Sequence, residues 1–188
     1  MIPVFRKPAK GKPFTVLRNP DGWGSRPSLL VKRVRDAWYE VYLPMRPNGV
    51  TGWIRARDVT VRLNPYRIEI DLSLNRLTVL EQGEKVMSEP VAAGTGGTPT
   101  PTGLFYTTIL VKPLNAGGAY GPFAYGLSAY SEVLFTFAGG DGQVAIHGTN
   151  DPSSIGNDVS HGCIRMNNAA ITKMSKFLPL GTPVDIRP

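Results

Sequence analysis

Apolar and polar residues alternate in short runs along much of the chain, a pattern typical of β-strands with one buried face. The clearest run covers residues 66–72, where apolar side chains take the even positions and polar side chains most of the odd ones. A turn near 73–75 and another at Gln82-Gly83 separate this run from the next strands. The pattern predicts those strands around Leu77 and Val79, then over 86–91, 104–111, 144–146 and 184–186.

The first 62 residues show shorter apolar segments and a turn signal at Pro47-Asn48-Gly49. Short strands, tight turns and regularly spaced aromatics predict a small β-barrel. We interpret Trp38 and Trp53 as core residues, with ligand contact as the alternative. Residues 62–65 have the character of a short linker. The predicted strands lie near Val4-Phe5, 29–34, 38–43, 52–54 and 58–59.

Two segments between the predicted strands are rich in glycine. Residues 94–103 (GTGGTPTPTG) contain too much Gly, Pro and Thr for a strand interior, and we predict a shaped loop. Residues 112–130 form a longer Gly- and Tyr-rich segment. A loop of that length in a compact domain is usually functional or mobile, so we interpret it either as a lid over an active site or as a surface excursion.

One helix is predicted, over residues 168–178, with apolar side chains at i, i+3 and i+7 and Asn168 as its N-cap. Gly181-Thr182-Pro183 ends the helical segment before the last strand. The pattern therefore predicts a mainly β protein with one short helix near the C-terminus, divided into domains 1–62 and 63–188.

Composition agrees with this fold class, because 21 Gly and 17 Pro in 188 residues suit short strands joined by turns. The formal charge of +7 favours anionic partners such as nucleic acid, acidic lipid or an anionic cell wall. The basic residues are scattered and form no run interleaved with aromatics. We therefore expect no nucleic-acid partner.

The chain contains no apolar stretch of the ~18 residues that a membrane helix needs, so no integral membrane segment is expected. Its N-terminus, MIPVFRKPAKGKP, lacks the continuous apolar region of a signal peptide. The protein is therefore expected either to be cytoplasmic or to have an export signal outside the given residues.

The single cysteine, Cys163, excludes an intrachain disulfide and lies within 17 residues of both histidines, His147 and His161. This clustering indicates nucleophilic catalysis by Cys163 with His147 as base. A nearby imidazole either holds the thiolate as an ion pair or takes the proton as attack proceeds. The apolar strand 144–146 would fix the ring of His147.

The residues around the cysteine have predicted supporting roles. Gly162 allows a tight turn, and the N–H groups of Gly162 and Cys163 could form an oxyanion hole, worth roughly 3–4 kcal/mol per donor. Ser160 and His161 belong to the same loop, and we expect His161 to orient it by packing or hydrogen bonding.

Arg165 either binds a substrate carboxylate or forms a structural ion pair, and the sequence leaves both open. Asn167 and Tyr125 are further candidate substrate-binding residues. Two other hypotheses compete with nucleophilic catalysis: a purely structural cysteine, and a zinc site formed by the two histidines and Cys163. The spacing matches no common zinc motif, so we expect neither a metal nor another cofactor.

His147-Gly148-Thr149-Asn150 followed by Ser160-His161-Gly162-Cys163-Ile164-Arg165-Met166 resembles the signature of the L,D-transpeptidases of the YkuD type. The resemblance extends from Tyr66 to Ile186 and includes the Thr98–Gly103 loop and Gly181–Val184. Separately, Trp38 and the segment 47–54 resemble bacterial SH3-like domains. The resemblances together imply a small SH3-like β-barrel followed by a YkuD-type, β-rich catalytic domain.

The family resemblance implies a peptidoglycan substrate. Cys163 would attack the carbonyl of the diamino acid at the third position of a tetrapeptide stem. The terminal D-alanine would depart, and the stem would remain bound to Cys163 as a thioester. An amine from a second stem would then form a cross-link. With water as acceptor the enzyme would be an L,D-carboxypeptidase, and a third alternative is a non-catalytic wall-binding protein whose SH3-like unit binds a wall ligand.

The same resemblance makes His147 the base and gives the residue after it the role of orienting the imidazole. That residue is Gly148, where other members carry Ser, so only its backbone carbonyl can act. Because the family works outside the cytoplasm, the resemblance implies an extracytoplasmic protein whose export signal lies outside the given residues.

Overall fold

The computed structural model describes residues 1–22, 24–137 and 139–188. Its N-terminal part contains a two-stranded sheet, β1-β2, and a three-stranded antiparallel sheet, β3-β4-β5. Phe5 and Trp53 join the two sheets, because each donates its backbone N–H to the carbonyl of the other at 2.8 Å. The strands are β1 (Ile2–Val4), β2 (Thr15–Leu17), β3 (Val31–Arg35), β4 (Trp38–Tyr42) and β5 (Thr51–Arg55).

The N-terminal unit has a hydrophobic core of its own, made of Ile2, Val4, Val41, Leu43 and Ile54. Trp53 is buried, as the core interpretation predicts, whereas Trp38 is half-buried and packs edge-on against Phe5. The predicted strand at 58–59 is wrong, because Ala56–Asp58 form a 3-10 turn instead.

The second unit contains nine strands and one helix. They are β6 (Tyr66–Asp71), β7 (Arg76–Glu81), β8 (Glu84–Gly94), β9 (Gly103–Val111), β10 (Ala124–Tyr130), β11 (Gln143–His147), β12 (Asp158–Ser160), β13 (Ile164–Met166), α1 (Asn168–Met174) and β14 (Pro183–Arg187). The strand order is β12-β8-β13-β11-β10-β9-β14-β6-β7, and an additional pairing of β7 with β8 closes the circuit into a barrel-like sheet.

The alternation predicted for residues 66–72 is confirmed, because Ile68 and Ile70 are buried while Arg67 is exposed. Inward side chains from eight of these nine strands, all except β12, form one core with the apolar face of α1. Ile171 and Met174 supply that face and are fully buried. The core thus holds β11 and β13, which carry the candidate chemistry, in a rigid sheet.

Two predicted boundaries are wrong. Residues 124–130 form strand β10 between β9 and β11, so the long loop covers only 112–123. Six consecutive residues of β10 are buried, and a strand covered on both faces lacks the alternation by which strands are recognised. Helix α1 ends at Met174, and its N-cap is Asn167 rather than Asn168, because Asn167 accepts a hydrogen bond from Ala169 N–H.

Among the described residues, no helix is both long and apolar enough to cross a membrane.

Candidate active site

Strand register places the candidate nucleophile and base on one face of the sheet. Strands β11 and β13 run parallel, with Ile146 opposite Ile164 and His147 opposite Arg165. Paired residues on neighbouring strands point to the same side, and that side alternates along each strand. His147 and Arg165 therefore share the face opposite to the buried Ile146–Ile164 pair. The same register extended by one pair places Cys163 beside Ala145, with Cα atoms of Cys163 and His147 roughly 8 Å apart.

The imidazole of His147 is held in one orientation. The ring is 4% exposed, and its Nδ1 lies 2.5 Å from the carbonyl oxygen of Gly148. Because a carbonyl only accepts hydrogen bonds, Nδ1 carries the proton and Nε2 is the free base. The pKa of His147 is lowered to about 4, mainly by burial. The bond to Gly148 raises the pKa, and the charge of Arg165 adds to the lowering. The ring is therefore neutral at pH 7.

Gly148 is packed too closely to carry a side chain. A Cβ there would lie 2.9 Å from Pro122 Cδ and would collide with Asn168 Oδ1. Asn168 Oδ1 also accepts the N–H of Thr149 at 2.8 Å, which fixes the chain just after His147. The sequence assigned Asn168 to helix capping, and its support of this segment was not predicted. The only signal for this role in the sequence is that Asn168 lies close to the end of the signature around Cys163.

Hydrogen bonds inside the turn fix the approach to Cys163. Ser160 Oγ donates to the carbonyl of Cys163 at 2.5 Å and accepts the N–H of Gly162 at 3.1 Å. Gly162 has φ 110, which glycine adopts readily and other residues rarely do. Because Gly162 N–H already has this partner, the structure does not support its predicted place in an oxyanion hole. Cys163 N–H has no acceptor within the described parts of the chain and remains available.

The glycine-rich loop 94–103 braces the same turn from behind. Thr100 Oγ1 accepts the N–H of Gly94 at 2.9 Å and donates to the carbonyl of Gly162 at 3.0 Å. Thr98 Oγ1 donates to the carbonyl of Ser160 at 3.1 Å. The sequence predicted a shaped loop here, and the structure adds its physical role as a support for the nucleophile turn.

The thiol of Cys163 is protonated in the resting state. Burial raises its pKa, and this effect outweighs the opposing influences of a hydrogen bond donated by the backbone N–H of Ala145 and the charge of Arg165. A neutral imidazole and a neutral thiol therefore lie on the same face of the sheet. Of the two sequence-based alternatives, this state favours proton transfer during attack over a preformed ion pair.

The three predicted substrate-binding residues have different surroundings. Arg165 is half-buried beside the nucleophile and belongs to none of the ion pairs formed by residues 1–22, 24–137 and 139–188. Asn167 is exposed at the start of α1. Tyr125 is fully buried, and its hydroxyl donates to the carbonyl of Leu178 at 2.9 Å. A substrate contact by Tyr125 is therefore contradicted.

Aromatic side chains flank Cys163 on two sides. Tyr120, from the 112–123 loop, contacts the ring of His147 at 4.9 Å between centroids. Phe137 stacks on His161 with the ring centroids 5.0 Å apart. Phe137, His161 and Cys163 line one small pocket, together with Ser131, Leu134, Gly142, Gln143 and Val144.

The rival zinc arrangement is not formed. Within the described residues, no three His, Cys, Asp or Glu side chains converge closely enough to hold a metal ion. His161 stacks on the ring of Phe137 instead.

Comparison with known proteins adds an independent line of evidence. A family profile described as the L,D-transpeptidase catalytic domain (YkuD) matches residues 65–186. A Bacillus licheniformis protein provisionally named L,D-transpeptidase YkuD is 40% identical over 124 residues, which cover 66% of this chain and 67% of that protein.

Solved structures share the fold. An L,D-transpeptidase from Mycobacterium smegmatis aligns with 86% of this chain and 82% of its own, with a TM-score of 0.55 and 16% identity. An Enterococcus faecium L,D-transpeptidase aligns with 66% of this chain at a TM-score of 0.51 and 21% identity. The present chain spans only 50% of that second protein.

Proposed function

Because the chain belongs to the L,D-transpeptidase catalytic domain family, we propose that it is a peptidoglycan L,D-transpeptidase with Cys163 as nucleophile and His147 as base. One observation carries the assignment of these residues. The parallel register of β11 and β13 brings the base and the nucleophile to one face, and the Gly148 carbonyl leaves His147 Nε2 unprotonated.

The acylation step uses the neutral pair. Cys163 Sγ forms a bond to the carbonyl carbon of the diamino acid in a tetrapeptide stem, and the thiol proton passes to His147 Nε2. Collapse of the tetrahedral intermediate breaks the bond to the terminal D-alanine, whose amine takes that proton from His147. Cys163 N–H stabilises the developing oxyanion. The products are a thioester on Cys163 and free D-alanine.

The second step regenerates the enzyme. An amine from another stem attacks the thioester carbonyl, and His147 takes the proton that this amine loses. The carbon–sulfur bond breaks, and the proton returns to Cys163 as the cross-linked dimer leaves. His147 performs both transfers because its bond to Gly148 keeps Nδ1 protonated throughout.

Arg165 is proposed to bind the carboxylate of the stem's terminal D-alanine. It shares the face of His147, lies beside Cys163 and has no acidic partner among the described residues. An unpaired guanidinium that is half-buried gains from a carboxylate ligand, which it can bind through two parallel hydrogen bonds. This position would also place the leaving group next to the thiol.

The N-terminal unit, residues 1–62, is proposed to be an SH3-like domain that binds an anionic wall ligand outside the cytoplasm. It holds 13 Lys and Arg against 4 Asp and Glu, whereas residues 63–188 hold 8 against 10. Binding of the full chain to purified cell-wall sacculi tests this proposal. The bound fraction should fall as salt rises, because exposed charges are screened, and salt-independent binding would contradict it.

The experiment that tests the activity mixes the protein with a tetrapeptide-stem muropeptide and follows products by mass spectrometry. We expect one D-alanine to be released per joined dimer, and Cys163→Ala should form neither product. Release of D-alanine without a dimer would identify an L,D-carboxypeptidase instead. Absence of both products with the unmodified protein would contradict the proposed enzyme.

A further inference from the structure

The wall of the Cys163 pocket is formed by a loop that the N-terminal unit holds in place. Residues 131–142 connect β10 to β11, and the pocket is lined by Ser131, Leu134, Phe137 and Gly142 from this loop. Phe135, Thr136, Phe137, Gly139 and Gly140 of this loop are exposed to solvent. The loop therefore has little hydrophobic burial of its own to fix its shape.

Arg46 of the N-terminal unit supplies three hydrogen bonds to this loop. Its guanidinium donates to the carbonyls of Asp141 at 2.7 Å, Ser131 at 3.1 Å and Leu134 at 3.1 Å. The acceptors lie at both ends of the loop and at its first bend. A single planar group thus ties together three points that the chain separates by up to ten residues.

Aromatic stacking and close packing reinforce the same contact. The guanidinium carbon of Arg46 lies 4.8 Å from the ring centroid of Tyr130 and 5.1 Å from that of Phe135. A Cβ on Gly142 would come within 2.8 Å of Arg46 Nη2. The guanidinium of Arg46 is therefore closely packed on several sides. A lysine at this position would lack the planar fork that reaches several carbonyls at once.

We propose that Arg46 is a positioning residue for acyl transfer, which shapes the 131–142 loop into the wall that receives the stem peptide beside Cys163. The inference rests on the proposed function, since the pocket matters only if Cys163 is acylated there. It means that the N-terminal unit completes the catalytic site of the second unit in addition to any wall binding.

The two units would remain joined without Arg46. Asn48 exchanges two hydrogen bonds with the backbone of Tyr130, at 2.8 and 2.9 Å. Tyr106 donates its hydroxyl proton to the carbonyl of Tyr42 at 3.1 Å, and Tyr130 donates its hydroxyl proton to the carbonyl of Pro44 at 3.1 Å. Loss of Arg46 should therefore loosen the loop while the interface persists.

The test compares donor kinetics of Arg46→Met with those of Arg55→Met, using a soluble muropeptide so that wall binding plays no part. Arg55 is a matched control, because it also stacks on two aromatic rings of the N-terminal unit, Phe5 and Trp38. We expect Arg46→Met to raise KM for the donor about tenfold, because a loop that is correctly shaped in only about a tenth of the molecules weakens donor binding by that factor, with kcat within about twofold. Arg46→Lys should recover little of this loss.

Hydrogen exchange of the amides in residues 131–142 gives a second readout that needs no activity. Exchange should be faster in Arg46→Met than in the unmodified protein and unchanged in Arg55→Met. If Arg46→Met fails to fold, Arg46→Lys, which keeps the charge but lacks the planar fork, takes its place with the same expectations.

Equal KM values and equal loop exchange in the Arg46 and Arg55 variants would overturn the inference. Faster exchange without a change in KM would also overturn it, because the loop would then be ordered for reasons unrelated to the donor. If the unmodified protein releases no D-alanine and forms no acyl adduct, the proposed function fails. In that case unchanged loop exchange in Arg46→Met would show separately that Arg46 does not shape the loop.

Discussion

His147 Nδ1 and the carbonyl oxygen of Gly148 lie 2.5 Å apart, a contact between neighbours in the chain that sets the tautomer of the base. A side chain is the alternative way to orient a catalytic histidine, and glycine at 148 removes that option. The backbone carbonyl has one compensating advantage, since it is fixed by the strand that carries the ring. The predictions below follow from this neutral, oriented imidazole and from the supports around Cys163.

Stability should fall as acid protonates His147. Its folded pKa of about 4 lies below the ordinary value of 6.5, so the unfolded chain binds the proton more readily between these two pH values. Lowering the pH from 6.5 to 4 should therefore cost about 3 kcal/mol of unfolding free energy from this residue. The unfolding free energy of His147→Gln, measured by urea denaturation at several pH values, should fall correspondingly less as the pH is lowered than that of the unmodified protein. His161→Gln, which leaves His147 intact, serves as the control. An equal pH dependence of the unfolding free energy in all three proteins would refute the lowered pKa of His147.

Alkylation of Cys163 by iodoacetamide should be slower at pH 7 than that of glutathione. The raised pKa of the thiol leaves less thiolate at neutral pH, and only the thiolate reacts. Arg165→Met should slow the reaction further, because the charge of Arg165 lowers the pKa of Cys163. Rapid alkylation near pH 6 would instead demonstrate a preformed thiolate and contradict the neutral pair.

Thr100→Val should impair the nucleophile turn. The substitution removes the hydroxyl that bonds Gly94 N–H and the Gly162 carbonyl, and an unsatisfied buried polar group costs about 1–3 kcal/mol. We expect a loss of unfolding free energy in that range, measured with urea, together with a lower kcat. Thr100→Ser should restore both quantities. Thr102→Val is the matched control, since Thr102 is exposed in the same loop, and an equal effect there would disprove the specific role of Thr100.

Gly148→Ala should lower both stability and activity. The added methyl would meet Pro122 and Asn168, and overpacking of this kind costs typically about 1–3 kcal/mol. The shift needed to relieve it also moves the carbonyl that orients His147. Gly96→Ala is the comparison, because nothing lies within 4 Å of a Cβ at Gly96. Equal urea midpoints and turnover for the two variants would rule out the proposed constraint at Gly148.

The proposed nucleophile and base could be singled out from the sequence alone. Cys163 and His147 stand out because the chain has one cysteine and two histidines, all close together. Alternation around Ile68 and Ile70 marks a strand with one buried face, and the structure confirms it. Both signals lie within short segments of the sequence, so they can be detected without knowledge of the fold.

Features that depend on contacts between distant segments were not predictable. Tyr125 lies in a Gly- and Tyr-rich segment and was predicted to contact the substrate. It is instead buried in strand β10, where its hydroxyl donates a hydrogen bond to the carbonyl of Leu178. Gly162 N–H was expected in an oxyanion hole, but Ser160 Oγ occupies it. Arg46 lies 117 positions before Cys163 in the sequence, and no local pattern connects it to the pocket.

The most direct test of the central claim is the intact mass of the protein after mixing with a tetrapeptide donor and no acceptor. The account predicts an added mass equal to the donor minus D-alanine, mapped by peptide digestion to Cys163 and lost in Cys163→Ala. His147→Gln should accumulate the adduct far more slowly than the unmodified protein. An adduct on another residue, or equal labelling of Cys163→Ala, would contradict acyl transfer through Cys163.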